Sequence, residues 1–262
     1  LTWLCVKNFW RLFYYPDSQN HPASRYFGLI AAVFFGFHPI NTQPATYLAA
    51  RADVMATVFF LLGVIVACWM LIRIEKAQSR PGWLAAQLFA LSLTVGVFTA
   101  AGLGCKEIII TLPALVLLQL ILFWRNKPVK TILFRSFLYC LPMIAAVAGY
   151  LAYRILVLGA VFGFPDVEAR SPMENFLTQI CILVLYYLPR VFLPFKLLFA
   201  PSFPPVGSWA DPRLYFSLAV ILILLGTAVY YLRKRPETGY GILWFFVTLA
   251  PTSSFIPLWD LI

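Results

Sequence analysis

Charge is what this chain has least of. Only 11% of its 262 residues are Asp, Glu, Lys or Arg, against about 25% in an ordinary soluble domain. So few charges cannot cover a water-facing surface, which excludes a soluble globular protein. Acids are the scarcer sign, 10 against 20 bases, leaving a net charge of +10. In a chain this apolar the excess reads as a topological signal, and nucleic acid is not expected as a partner. Histidine occurs twice, and the absence of CxxC or Cys/His metal spacing excludes an ordinary zinc site. Cys5, Cys68, Cys105, Cys140 and Cys181 lie in apolar contexts, where Cys behaves as a small hydrophobe. No structural disulfide is expected from them. The opening residues carry no signal-peptide pattern.

Apolar sequence is what the chain has in abundance. Hydrophobic residues make up 62% and aromatics 17%, with a mean hydropathy of +0.84. Many aromatics, Trp69, Trp83, Trp124, Tyr150, Tyr153, Trp209 and Trp259 among them, fall near the ends of apolar runs, as in an interfacial belt. A crossing helix needs roughly 20 mostly apolar residues. That length predicts spans near 26–40, 54–72, 83–104, 108–124, 133–153, 213–232 and 240–259. Residues 1–15 read as the tail of a further helix. The expected fold is therefore all-α: one polytopic transmembrane bundle over 1–262, with about seven to eight spans.

Basic clusters at Lys7 and Arg11, at Arg73, Lys76 and Arg80, at Arg125, Lys127, Lys130 and Arg135, and at Arg233, Lys234 and Arg235 assign those loops to the cytoplasm. Asp53, Glu107, Asp166, Glu168, Glu174, Asp211 and Asp260 then fall on the other side. With 133–153 leaving the cytoplasm and 213–232 returning to it, both ends of 154–212 lie outside. The apolar stretch 176–199, interrupted by Pro189, Arg190, Pro194 and Lys196, is thus expected as a re-entrant or interfacial helical hairpin. A true crossing is the alternative, and it puts Arg233-Lys234-Arg235 outside, against the charge rule.

Polar residues converge on the outer face. His38-Pro39-Ile40-Asn41-Thr42-Gln43, running on to Arg51-Ala52-Asp53, joins two apolar runs. Lys106-Glu107 marks another outer turn, and Arg190 sits inside an apolar stretch beside Pro189. Each has a plain reading: Asp53 as the N-cap of the run from Val54 with Arg51 as its partner, Lys106 snorkelling, His38 ending a helix, Thr252-Ser253-Ser254 bonding kinked backbone. Together they suit a lipid-linked phosphate, to which Arg offers a fork and Lys a point charge. Carboxylates and His beside it could position an acceptor hydroxyl. Glycosyl transfer from a polyprenyl-phosphate sugar fits, and so do a lipid-head-group transferase and a flippase.

His38-Pro39-x-x-Thr42 with Arg51-Ala52-Asp53 resembles the membrane half of the transmembrane and tetratricopeptide-repeat O-mannosyltransferases, of the GT-C glycosyltransferase superfamily. Three later pieces are similar to bacterial members in the same order: Cys105-Lys106-Glu107 with Thr111-Leu112-Pro113, Tyr187-Leu188-Pro189-Arg190 with Pro194, and Ala250-Pro251-Thr252-Ser253-Ser254-Phe255-Ile256-Pro257. The resemblance covers about 26–262. It implies a lumenal or periplasmic active site, a polyprenyl- or dolichyl-phosphate sugar as donor, and a protein Ser/Thr hydroxyl as acceptor. It places the bilayer around the chain, in a bacterial inner membrane rather than the endoplasmic reticulum. It implies donor-phosphate contacts at Arg51, Lys106 and Arg190, and supporting or acceptor-positioning roles for His38, Thr42, Gln43, Asp53 and Glu107. The catalytic acid of such enzymes lies in a first outer loop, expected before residue 1, so the chain reads as an internal fragment without its repeats. Gln43 stands where many relatives have Glu. No cofactor is certain, and a divalent metal stays open because acidic ligands are few. A noncatalytic membrane scaffold is the remaining alternative.

Overall fold

The computed structural model describes residues 1–13, 22–42, 47, 50–76, 81–159, 171–194 and 203–251. Among them the secondary structure is helical, with no strand. The helices are α1 (Thr2–Phe13), α2 (Pro22–Phe37), α3 (Arg51–Lys76), α4 (Pro81–Leu103), α5 (Leu112–Phe123), α6 (Val129–Leu158), α7 (Pro172–Phe192), α8 (Pro212–Lys234) and α9 (Pro236–Leu249). Short 3-10 turns at Pro39–Asn41 and Glu107–Thr111 complete them.

Local sequence sets the boundaries. Helices α2, α4, α7, α8 and α9 each open on a proline, whose fixed φ and missing N–H suit a first turn. Ser171 caps α7 by accepting from Glu174 N at 3.1 Å, and Asp211 caps α8 by accepting from Arg213 N at 2.9 Å. Helix α6 ends at Gly159, whose φ of 70° is the left-handed stop that glycine takes without strain.

Among the described residues five helices are long and apolar enough to cross a membrane: Arg51–Ile74, Ala86–Leu103, Val129–Val157, Pro172–Phe192 and Pro212–Lys234. Two more expected spans are shorter apolar helices, Gly28–Phe37 and Glu107–Phe123. The expected span 240–259 is represented by α9, and residues 252–259 lie outside the described residues. Phe134, Phe137, Leu222 and Ile223 stand exposed on α6 and α8, an apolar outer face suited to lipid.

Two local expectations need correction. The stretch expected as a hairpin over 176–199 is one continuous helix from Pro172 to Phe192, unbroken at Pro189, and residues 195–199 lie outside the described residues. Pro189 has no N–H and its ring crowds the carbonyl of Leu185. The chain absorbs both by rewinding Leu183–Tyr187 into a π-helical turn. Asp53 is also not an N-cap: α3 begins at Arg51, so Asp53 lies inside the first turn, where its charge favours the helix dipole.

The core lies among α3, α4, α5, α6 and α9. Ala56, Val64, Ala67 and Leu71 of α3 meet Leu112, Leu115 and Leu120 around α5, Tyr139 and Met143 of α6, and Tyr240 of α9. Helices α4 and α6 approach closely where Pro142 rests against Gly96. Helices α8 and α9 fold back at Arg235, and their contact depends on Gly239. A Cβ there would sit 2.6 Å from Leu232 N and 2.7 Å from Ala228 O. Gly239→Ala should therefore cost about 1–3 kcal/mol and lower the melting temperature of the purified protein. Gly226→Ala on the same α8, with nothing within 4 Å, should stay within about 1 kcal/mol. Equal melting shifts for the two would refute this packing.

Candidate functional site: an ionic chain over an apolar cavity

The turn between α4 and α5 builds the site. Lys106 N–H donates back to Gly102 O at 3.0 Å, and Lys106 itself is extended, with φ −158° and ψ 146°. This kink separates α4 from the 3-10 turn that starts at Glu107, and sends the two neighbouring side chains to different helices. Lys106 Nζ forms an ion pair with Asp53 of α3. Glu107 forms one with Arg154 of α6, whose Nη1 also donates to Tyr150 OH at 3.0 Å. Asp53, Lys106, Glu107 and Arg154 thus form an alternating chain of charge that links α3 and α6 through the α4–α5 turn.

The two pairs differ in character. Lys106 and Asp53 leave 46% and 37% of their side chains exposed and Glu107 42%, whereas Arg154 leaves 15%. Arg154 lies roughly 37 Å along α6 from Val129, farther than the ~30 Å hydrocarbon layer. The helix is therefore long enough to bring this cation out to an interface. Its Nε is buried with no acceptor among the described residues, so the guanidinium is held by Glu107 and Tyr150 through Nη1.

The other anticipated residues form a second cluster. His38 Nδ1 accepts from Ile40 N at 3.3 Å, while Nε2 faces Val191 O at 3.2 Å. One tautomer, with its proton on Nε2, satisfies both contacts. Thr42 Oγ1 donates to Pro39 O at 2.7 Å, and Asn41 Nδ2 to Phe35 O. Much of the polarity of this hinge is spent on its own backbone. His38 fastens the end of α2 to the end of α7, next to Arg190. The Arg190 guanidinium lies 3.4 Å over the Tyr186 ring and donates from Nη1 to Tyr186 O at 3.0 Å, and its Nε is buried without an acceptor among the described residues. Asp211 is committed to α8: hydrogen bonds from Arg213 hold its carboxyl below the usual range.

Asp53, Lys106 and Glu107 are therefore brought together, and His38, Thr42 and Arg190 are joined around the ends of α2 and α7. Arg51 is exposed at the start of α3 and belongs to neither ion pair; the partner of Asp53 is Lys106 rather than Arg51. Gln43, Lys196 and Thr252-Ser253-Ser254 lie outside the described residues. Among the described residues no three His, Cys, Asp or Glu side chains converge as a metal site would require. The five cysteines are free thiols. Arg154 and Tyr150 were missed from sequence. The available signal was that Arg154 is the only charged residue between Arg135 and Asp166, one helical turn beyond a tyrosine.

Below the ionic chain opens a cavity of about 770 Å³ between α1, α2, α3 and α9. Its walls are mainly apolar: Ile30, Phe34, Phe60, Leu61, Ile108 and Trp244 contribute. One residue connects it with the charges: Ile108 directly follows Lys106-Glu107. The hydroxyl of Thr57, also in the wall, donates to the backbone carbonyl of Asp53 one turn earlier, at 2.7 Å. Tyr240 and Cys5, both buried, close the cavity toward a small polar core where Gln119 Nε2 meets Cys68 Sγ at 3.5 Å. The chain matches no known family model, no curated protein and no solved structure.

Because Arg154 is the most buried member of the ionic chain, Arg154→Gln should destabilise the protein by about 1–2 kcal/mol, and Asp53→Asn by less than about 1 kcal/mol. Thermal unfolding in detergent measures both. A larger loss for Asp53→Asn would contradict the assignment of Arg154 as the anchor.

Proposed function

We propose that this chain is the membrane part of a GT-C type glycosyltransferase. It transfers a sugar from a polyprenyl- or dolichyl-phosphate donor to an acceptor hydroxyl, a protein Ser or Thr, at the outer or lumenal face. One observation carries this reading: Lys106, Glu107 and Ile108 are consecutive, the first two in ion pairs and the third in the cavity wall. A charged head site and an apolar tail site meet within three residues, as an amphipathic anionic donor requires. Cavities of this size, mostly apolar with a few polar groups, are typical of ligand sites. The resemblance in the His38-Pro39, Lys106-Glu107 and Pro189-Arg190 pieces points to the same chemistry.

In this reading seven helices cross the bilayer: α2, α3, α4, the segment 107–123, α6, α8 and α9, with α1 as part of an eighth. Residues 107–123 reach about 28 Å, because the 3-10 residues rise about 2.0 Å each. Helix α7 lies along the outer face although its length and hydropathy would let it cross. Two contacts support that placement. Thr178 Oγ1 accepts from Val206 N, just before the start of α8, and Val191 O meets His38 at the end of α2. Both helix ends belong to the face opposite Arg233, Lys234 and Arg235.

A transfer assay with the full-length protein and polyprenyl-phosphate sugar tests the function. At limiting donor, Lys106→Ala and Arg51→Ala should each lower transfer about 10- to 100-fold, the worth of a charge-assisted contact. Full activity in both variants would remove the donor-site assignment, and a wild-type protein inert with all such donors would remove the enzyme reading. A reporter fused after Arg235 should locate to the cytoplasm, and one inserted at Gly207 outside; the reverse for either overturns the topology.

A further inference from the structure

The ionic chain is neutral as it stands. Asp53 cancels Lys106, and Glu107 cancels Arg154. An arriving anion therefore meets two satisfied cations, and one carboxylate has to withdraw before a phosphate can take its place. The two carboxylates are not equally free to do so. Glu107 is bound to a cation that is mostly buried and braced by Tyr150 OH. The carboxylates themselves are similarly exposed, Glu107 at 42% and Asp53 at 37%, so the partners decide: Asp53 is bound to a lysine that is nearly half exposed. Water can solvate both groups of this pair when they separate, so the pair is weakly held. Lysine on its flexible stem can reorient its three donors, whereas Arg154 in its braced setting cannot. Lys106 is also one residue from Glu107 and two from Ile108 at the cavity wall.

We propose that Asp53 is a resident counter-ion that occupies Lys106 in place of a lipid phosphate and is exchanged for it when the lipid binds, while Glu107 and Arg154 stay paired as the fixed frame. This rests on the lipid-phosphate reading of the site given above. It assigns Asp53 a role opposite to that of a binding residue: removing its charge strengthens the ligand's hold on Lys106. No bond is made or broken in the exchange; the ammonium keeps its proton and changes one oxyanion partner for another.

Binding to the full chain in nanodiscs, followed by titration, separates the possibilities. The probe is undecaprenyl phosphate, with undecaprenol and inorganic phosphate as controls for the tail and for the free anion. Asp53→Asn should bind undecaprenyl phosphate about two- to fivefold more tightly than wild type, the worth of an exposed ion pair. Its affinity for undecaprenol should be unchanged, and Asp53→Glu, which restores the pair, should behave as wild type. Lys106→Gln should bind the phosphate more weakly, and Asp53→Asn should bring no gain in that background. If Lys106→Gln weakens binding but Asp53→Asn leaves it equal or weaker, the counter-ion role is wrong and the lipid-phosphate reading stands. If inorganic phosphate alone shows the whole effect, the lipid source is wrong. If wild type and Asp53→Asn both bind undecaprenyl phosphate no better than undecaprenol, the reading and the proposal fall together.

Discussion

An ionised side chain cannot rest in hydrocarbon without a partner or a route to water, and the arrangement of this chain follows from that constraint. Its described charges gather at the two ends of the helices, and the ends solve the problem differently. At the end marked by Arg73, Arg135 and Lys234 the cations lean on aromatic rings, Trp69 at 4.0 Å, Trp124 at 5.2 Å and Tyr230 at 4.6 Å. Such contacts leave the charge positive; the rings of Trp69 and Tyr230 are exposed, while that of Trp124 is buried in the core. At the end marked by Lys106 and Arg154 these two cations meet carboxylates, while Arg190 rests on the Tyr186 ring. On the proposed reading the first end anchors the chain at the membrane and the second holds a small, neutralised site.

That contrast gives the apolar cavity its direction. Phe60 and Trp244 meet edge to face at 5.4 Å inside the wall, and Ile108 carries the wall up to the turn that bears the charges. A tail held below and a phosphate held above would leave the attached sugar at the water-facing end, beside Asp53 and Glu107. On the proposed reading this part of the molecule binds and orients the donor. His38 acts through structure, since both ring nitrogens are engaged with backbone groups that join α2 to α7.

The helical class and most helix positions were legible in the sequence, because apolar run length and proline starts are local signals. What was missed depended on partners distant in sequence. Asp53 looks like a cap when only Val54 and its successors are considered, and becomes an ion-pair member once the α4–α5 turn brings Lys106 beside it. Arg154 sits in an apolar run with no motif around it, and its meaning appears only when Glu107 is placed opposite. Pro189 suggested a break, yet a single π-helical turn let α7 continue to Phe192. Topology put His38, Arg51, Asp53, Lys106, Glu107 and Arg190 toward one face; it did not foresee that Asp53 pairs with Lys106 or that His38 groups with the Arg190 segment.

The most direct test is to find where a lipid phosphate rests. A polyprenyl phosphate with a photoreactive diazirine in its tail, illuminated with the purified protein and mapped by mass spectrometry, should label Phe60 or Leu61 of α3 and Trp244 of α9, and excess unlabelled polyprenyl phosphate should suppress those adducts. Adducts confined to the outward-facing Phe134, Phe137, Leu222 and Ile223, or insensitive to that competitor, would show that the cavity beneath the ionic chain does not hold the lipid.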